Sequence, residues 1–184
     1  MRTWFVRGAL PLLLLTAVAA GAGPVAAATV CASADGPTAR ASTIALANAA
    51  VCLVNQERTA RGLKPLTPNR RLARAADGHA RDMVVTGYFS HDSADGRTFV
   101  DRIRRAGYIV PRAFPSLGED LAWGSGTLGT PREIVQAWME SPDHRRNILN
   151  RSFREAGMAV ALGDPGAGED GVVYALDFGS GGRR

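Results

Sequence analysis

Apolar residues recur with two different periods along this chain, a helical period in the first two thirds and a strand-like period near the end. The clearest helical face consists of Leu72, Ala76, His79 and Met83. Their spacing of i, i+4, i+7 and i+11 places them on one side of a helix. The runs 157–162 and 171–178 are short and apolar, with a turn-rich segment between them, which predicts a hairpin. Helices followed by an antiparallel pair indicate an α+β layered domain.

Capping and breaking residues set the expected ends of the helices. Threonine and proline are favoured at helix starts, and glycine is favoured just after helix ends. By these capping signals the predicted helices cover 43–61, 67–86, 98–106 and 130–141, with Thr43, Thr67, Thr98 and Thr130 as the caps. We also expect a short additional strand at 121–123.

The N-terminus has the pattern of a secretory signal peptide. Arg2 and Arg7 precede an apolar run at 9–20, and three alanines end at Ala28. The run is too short to cross a bilayer, so we expect no transmembrane anchor after cleavage. These features predict a signal peptide at 1–28, an irregular arm at 29–42, one domain at 43–184 and a secreted, extracellular location.

Two cysteines, Cys31 and Cys52, are the only ones in the sequence. They form either one disulfide or two free thiols, and an exported chain in an oxidising compartment favours the disulfide. By its length, the loop that it closes would contribute about 3 kcal/mol of stability.

The charge distribution argues against nucleic acid as a partner. The formal net charge is +5, but the arginines are scattered and few aromatic residues lie between them. The sequence also contains no Gly-x-Ser-x-Gly and no His-Glu-x-x-His motif, so no familiar hydrolase nucleophile or zinc helix is present.

Three ionisable side chains lie in segments rich in turn residues: His91, Glu119 and His144. Two imidazoles and a carboxylate that converge can bind a divalent metal, move a proton or hold a polar ligand, and the residues alone leave these options open. His79, by contrast, shares an apolar helix face, and we interpret it as a core histidine with a buried hydrogen-bond partner. Trp123 and Trp138 are expected to be packing residues.

Four segments together closely resemble the CAP superfamily of cysteine-rich secretory, venom-antigen and plant pathogenesis-related proteins. They are Asn55–Arg58, Tyr88–His91, Gly118–Glu119 and Ala137–Leu149, in that order. The resemblance extends over 44–179 and is strongest to the bacterial exported branch. It implies a three-layer α-β-α sandwich, with helices on both faces of a small antiparallel sheet.

The resemblance also implies a site. In animal members two histidines and two acidic residues line a central cleft, and the histidines can hold a divalent cation such as zinc. His91, Glu119 and His144 match three of these four positions, and His91 and His144 would be the metal ligands. Ser141 stands near the position of the fourth acid, and Asp120 stands where the motif usually has asparagine.

We therefore expect a secreted, non-catalytic binding module with a cleft formed by His91, Glu119 and His144. Its ligand would be polar or amphipathic, such as a lipid or a cell-wall fragment, with or without a divalent metal. The alternative is a metal-dependent hydrolase that acts on peptide or cell-wall substrates, with Glu119 as general base. A structural wall protein would fit the same sequence.

Overall fold

The computed structural model describes residues 30–36, 38, 41–109, 115–166 and 170–181. The predicted signal peptide at 1–28 lies outside these residues, and the predicted arm is described in part. None of the helices in the described ranges has the length and apolar character that crossing a membrane requires.

Five α-helices occur within the described residues: α1 (Thr43–Thr59), α2 (Arg70–Thr86), α3 (Phe99–Arg105), α4 (Pro131–Glu140) and α5 (Pro142–Ile148). The predicted starts of α3 and α4 are confirmed. Thr98 and Asp101 form a reciprocal capping box, and the Thr130 side chain accepts the Glu133 amide N–H.

Three local expectations about the helices are wrong. The cap of α1 is Ser42, whose side chain accepts the Ala45 amide N–H, rather than Thr43. Thr67 and Pro68 form a short strand, and Asn69 caps α2 instead. The segment after Pro142 is a helix rather than a turn, because proline at the first helical position favours a new start.

The strands β1 (Thr67–Pro68), β2 (Ser116–Ser125), β3 (Glu155–Leu162) and β4 (Gly171–Ser180) form one sheet in the order β1-β3-β4-β2. The predicted hairpin of β3 and β4 is confirmed, and the strand expected at 121–123 is part of the ten-residue β2. β2 and β3 both pair antiparallel with β4, whereas β1 runs parallel to β3. The sheet is therefore mixed rather than purely antiparallel.

The two faces of the sheet carry side chains of different size. Successive residues of a strand point to opposite faces. Val160, Tyr174 and Leu176 join the core with α1 and α4, while Ala159 and Ala175 join the core with α2. Helices therefore cover both faces, and the three-layer α-β-α arrangement is confirmed.

The small side chains allow α2 to lie very close to β3 at Gly157. A Cβ atom added there would be 1.9 Å from the Ala73 amide nitrogen and 2.1 Å from the Leu72 carbonyl carbon. We expect Gly157→Ala to lower the free energy of unfolding by about 1–3 kcal/mol, because the helix must move away from the sheet.

Urea unfolding measures this effect, and Gly78→Ala is the matched control. Gly78 lies in α2, and a Cβ added there meets nothing within 4 Å, so this change should leave stability equal or raise it. Equal losses in the two variants would contradict the close helix–sheet contact.

The disulfide between Cys31 and Cys52 is confirmed, with the Cα atoms 5.7 Å apart. It joins the segment 30–36 to α1. The Arg132 amide at the start of α4 donates to the Ala34 carbonyl at 3.1 Å, so this segment is also attached to α4.

Candidate functional site

The candidate site is built around β2, which lies at one end of the strand order. Glu119 pairs with Asp177 of β4, and the next residue, Asp120, pairs with Leu176. Because neighbouring residues point to opposite faces, the Glu119 side chain faces the layer of α2 and α3, and Asp120 faces the layer of α5. One strand thus presents carboxyl groups to both helical layers.

His91 and Glu119 are in direct contact. The Nδ1 atom of His91 lies 2.8 Å from Oε1 of Glu119. The His91 side chain is 54% exposed, whereas the Glu119 side chain is only 1% exposed. The hydrogen bond to Glu119 and the negative charge of that group raise the pKa of His91, against an opposing effect of burial. The imidazole is therefore held at the surface by a buried carboxylate.

Arg102 of α3 occupies the other oxygen of Glu119. Its Nη2 donates to Oε2 at 2.6 Å and to the His91 carbonyl at 2.9 Å, and its Nη1 donates to Oγ of Ser93 at 3.1 Å. The guanidinium thus balances the buried charge and also holds the loop that carries His91. Sequence reasoning missed this role, because nothing in the scattered arginines distinguishes Arg102.

Asp177 places a second carboxyl group beside Glu119, on the same face of the sheet. It is buried, and neither of its carboxyl oxygens has a hydrogen-bond partner among the described residues. Burial and the neighbouring charge of Glu119 raise its pKa well above the ordinary value and so favour the neutral form of this carboxyl group. The signal of this group in the sequence is an acidic residue inside the apolar run 171–178.

Asn147 of α5 connects the opposite layer to the same strand. Its Nδ2 donates to Oδ1 of Asp120 at 2.7 Å and to the Glu119 carbonyl at 3.3 Å. Burial raises the pKa of Asp120 to about 8, although the bond from Asn147 lowers it in part. Asp120 therefore carries a proton through most of the neutral range.

We expect Asp120→Asn to stabilise the protein at neutral pH. A folded-state pKa of about 8 lies above the ordinary value near 4, so the contribution of Asp120 to stability is full below pH about 4 and is lost as the pH rises to about 8. An asparagine keeps the acceptor for Asn147 and has no such loss. The gain should be about 4 kcal/mol at pH 7, from about three pH units above the ordinary pKa at about 1.4 kcal/mol each, and should vanish near pH 4.

Urea unfolding between pH 4 and pH 8, in steps of about one unit, checks this prediction across the expected titration range. Asp143→Asn on α5 is the control, because the Asp143 side chain is 85% exposed and should change stability little at any pH. A gain for Asp120→Asn that is the same at pH 4 and pH 8 would contradict the assignment of a raised pKa.

His144 lies on α5 and is half buried. Burial lowers its pKa, and the charge of His91 lowers it further, so the two imidazoles are close enough to interact electrostatically. No hydrogen bond links His144 to His91 or to Glu119 among the described residues. The structure thus brings His91 and Glu119 into contact, whereas the expectation that all three share one cleft stays a prediction.

His79 is buried, with 1% of its surface exposed, and its Nε2 lies 2.8 Å from the Ser90 carbonyl. Burial lowers the pKa of His79, and a neutral ring with its proton on Nε2 donates to that carbonyl. The prediction of a core histidine with a hydrogen-bond partner is confirmed, but the partner residue, Ser90, is exposed rather than buried. Because Ser90 directly precedes His91, His79 also fixes the loop that carries the exposed imidazole.

Two expectations about tryptophan have different outcomes. Trp138 is buried and its Nε1 donates to the Leu121 carbonyl at 3.0 Å, as expected of a packing residue. Trp123 is 45% exposed on β2, so its prediction as a packing residue is wrong. Trp123 lies near the end of β2, an outer strand of the sheet.

Comparison with known proteins gives the same family as the resemblance in sequence. The chain is 33% identical over 126 residues to the uncharacterized protein YkwD of Bacillus subtilis, which covers 68% of this chain and 44% of that protein. It is 32% identical over 108 residues to the uncharacterized membrane protein YlbC of the same organism, covering 59% of this chain and 29% of YlbC. The chain thus spans less than half the length of these curated relatives.

Solved structures extend the comparison. An extracellular protein containing a SCP domain from Bacillus anthracis matches with a TM-score of 0.54 and 29% identity, covering 70% of this chain and 38% of the other. An outer surface protein of Borrelia burgdorferi shares the fold, with a TM-score of 0.58 at 19% identity, over 71% of this chain and 88% of the other. The profile of the CAP family, the cysteine-rich secretory protein family, matches residues 51–178, and the chain belongs to this family.

Proposed function

We propose that this chain is an exported binding module in which His91, anchored by Glu119, binds a polar group of its ligand. The observation that carries the proposal is the contrast in exposure along one hydrogen bond. The carboxylate is 1% exposed and its charge is balanced by Arg102, while the imidazole that it holds is 54% exposed. An imidazole that is held in place by a buried carboxylate and is open to solvent is suited to binding a ligand.

The chemistry of the pair selects the kind of group that is bound. Since Nδ1–H of His91 donates to Glu119, the atom left for a ligand is Nε2. The raised pKa increases the fraction of imidazolium near neutral pH, and in this form Nε2–H is a charged donor. An anionic or carbonyl oxygen of the ligand is the complementary partner.

Two exposed aromatic rings support an amphipathic ligand. Phe89, two residues before His91, is 42% exposed, and Trp123, on the strand of Glu119, is 45% exposed. Both belong to the segments that carry the polar pair. A lipid or a cell-wall fragment combines the apolar surface and the oxygen acceptors that these groups would bind.

Export is supported by three observations. The sequence begins with the pattern of a signal peptide, Cys31 and Cys52 are joined in a disulfide, and the similar protein of Bacillus anthracis is described as extracellular. Together they favour an oxidising location outside the cytoplasm.

A metal site is less well supported by the donor set. Among the described residues, no group of three or more His, Cys, Asp and Glu side chains is arranged to hold a metal ion. Both oxygens of Glu119 already accept hydrogen bonds, so His91 and His144 alone fall short of the three or four ligands of zinc centres. No step of the proposed function therefore depends on a metal, and no contact in the described ranges favours the hydrolase.

Isothermal titration of the purified mature protein tests the proposal, with muramyl dipeptide and a lysophospholipid below its micelle concentration as probes. We expect saturable binding of at least one probe, weakened about tenfold by His91→Gln through loss of one charged hydrogen bond. Asp143→Asn is the control and should bind as the wild type does. Equal affinity of the wild type and His91→Gln for both probes, or no binding of either, would refute it.

The same titration separates the finer alternatives. A parallel loss in His144→Gln would extend the site to the second imidazole. One-to-one zinc binding that is lost in both His91→Gln and His144→Gln would support a metal site. The affinity for zinc should then fall between pH 7.5 and 5.5, about one unit to each side of the usual imidazole pKa, because the imidazoles protonate. Cleavage of muramyl dipeptide would favour the hydrolase.

A further inference from the structure

A cavity of about 390 Å³ lies between α2, α3 and the loop that joins them. Its lining contains four arginines: Arg74, Arg97, Arg102 and Arg105. We propose that this cavity binds an oxyanion, a phosphate or carboxylate group carried by a small polar ligand. The lining does not include His91, Glu119 or His144, so this is a second site beyond the one proposed above.

The charges of the lining are unbalanced. Arg97 pairs with Asp95, and Arg102 pairs with Glu119, but neither Arg74 nor Arg105 forms an ion pair with any carboxylate in the described part of the chain. The one acidic side chain of the lining, Asp82, accepts a hydrogen bond from the Tyr88 hydroxyl at 2.5 Å. Two guanidinium groups on facing helices are thus available to an anion.

Arg102 supplies a buried donor without an acceptor. Arg102 is 8% exposed, and its Nε is buried and has no hydrogen-bond partner among the described residues. A buried N–H group is normally paired, because water is not there to replace the missing acceptor. Arg102 also lines the cavity, and in the proposed complex a bound oxyanion accepts a hydrogen bond from this N–H.

Small residues keep the space open. Gly78, Ala75 and Ala106 line the same cavity, and a Cβ added at Gly78 would meet nothing within 4 Å. The volume of about 390 Å³ is near the lower end for ligand pockets and suits a small molecule rather than a polymer. Planar guanidinium groups bind the oxygens of phosphate and carboxylate in pairs, which favours an oxyanion over a halide.

Inorganic phosphate is the probe for this site, titrated at pH 7.5 in a buffer of constant ionic strength made up with chloride. Binding is followed by calorimetry and by the NMR signals of the Gly78 amide and the Arg102 Nε–H. We expect saturable binding that shifts both signals. Arg105→Gln should weaken it about tenfold, by loss of one charged hydrogen-bonding group.

Three further variants make the result specific. Gly78→Leu fills the cavity without removing a charge and should also weaken phosphate binding about tenfold or more. Arg151→Gln removes an exposed arginine elsewhere on the surface and should leave the affinity unchanged, as should His91→Gln. This last variant tells the cavity apart from the proposed His91 site.

Affinity that falls equally in Arg151→Gln and Arg105→Gln would show only general attraction to positive charge and would overturn the proposal. Loss of binding in His91→Gln with full binding in Arg105→Gln would assign the phosphate to the other site and would also overturn it. The proposal is equally refuted if phosphate that replaces chloride at constant ionic strength leaves the signals of the Gly78 amide and the Arg102 Nε–H unchanged.

Discussion

Arg58→Met will lower the free energy of unfolding by about 2–6 kcal/mol, because it leaves two buried carbonyls without a donor, each at a cost of about 1–3 kcal/mol. Arg58 is 1% exposed, and its Nη1 and Nη2 donate to the buried carbonyls of Ile148 at 2.6 Å and Phe153 at 3.3 Å. The same side chain donates to the carbonyls of Lys64 and Asn150 at 3.0 Å each. Arg58 therefore holds the end of α5 and the turn before β3 against α1.

Urea unfolding of the two proteins measures this effect, and Arg61→Met is the matched control. Arg61 lies two residues beyond the end of α1 and forms an exposed ion pair with Glu57, which contributes little to stability. Losses of equal size in the two variants would contradict the role of Arg58. Its four carbonyl partners explain why an arginine in the Asn55–Arg58 segment is inside the protein.

Glu119→Gln will lower the free energy of unfolding by about 3 kcal/mol, the lower end of the cost of breaking a buried ion pair. In the wild type, Nη2 of Arg102 lies 2.6 Å from Oε2 of Glu119. The change therefore leaves Arg102 as a buried cation without its carboxylate. The loss stays at the lower end because Asp177 is next to Glu119 in the sheet and can take up part of the negative charge. Glu140→Gln, on the exposed side of α4, is the control and should change stability by less than about 0.5 kcal/mol.

The same variant will lower the pKa of His91, because Glu119 is the main cause of its elevation. A raised folded-state pKa contributes stability that is present below the ordinary value of about 6.5 and is lost as the pH rises through the folded-state pKa. Glu119→Gln should remove this dependence. An NMR titration of the His91 ring measures the pKa, and an unchanged value in the variant would contradict the contact between Nδ1 and Oε1.

The two predictions concern different parts of one arrangement. Arg58 holds α5, which carries His144, and Arg102 holds the loop, which carries His91. Arg58 acts through backbone carbonyls, whereas Arg102 acts through the Glu119 carboxylate, a hydroxyl group and backbone carbonyls. A lysine would not replace these several donors in a fixed geometry. The positions of the two imidazoles therefore depend on two buried cations that are not among the three site residues predicted from the sequence.

The local chemistry of the sequence determined much of the fold. The apolar face of α2, the caps at Thr98 and Thr130 and the short apolar runs of β3 and β4 depend on neighbours within a few residues, so a linear pattern contains them. The pair of cysteines in an export context led to the disulfide. The order of the segments indicated an α+β layered domain, and the resemblance added that helices cover both faces of the sheet.

Tertiary pairing overruled the local signals at particular places. Thr67-Pro68 fits a helix start as well as a strand at a sheet edge, and its parallel pairing with Glu155 and Ala156 decided for the strand. His144 was expected in a turn, but α5 begins at Pro142 and packs against α1 and α4.

For the candidate site, the sequence by itself determined which residue types are present: His91, Glu119, His144 and an acidic residue at position 120. Only the tertiary structure decided what surrounds them. Arg102 and Asp177 became the neighbours of Glu119 through the packing of α3 and the register of β2 with β4, both of which join residues far apart in the chain. A linear pattern records the chemistry of each side chain, whereas its charge state and its partners depend on burial and on distances that exist only after the layers have packed.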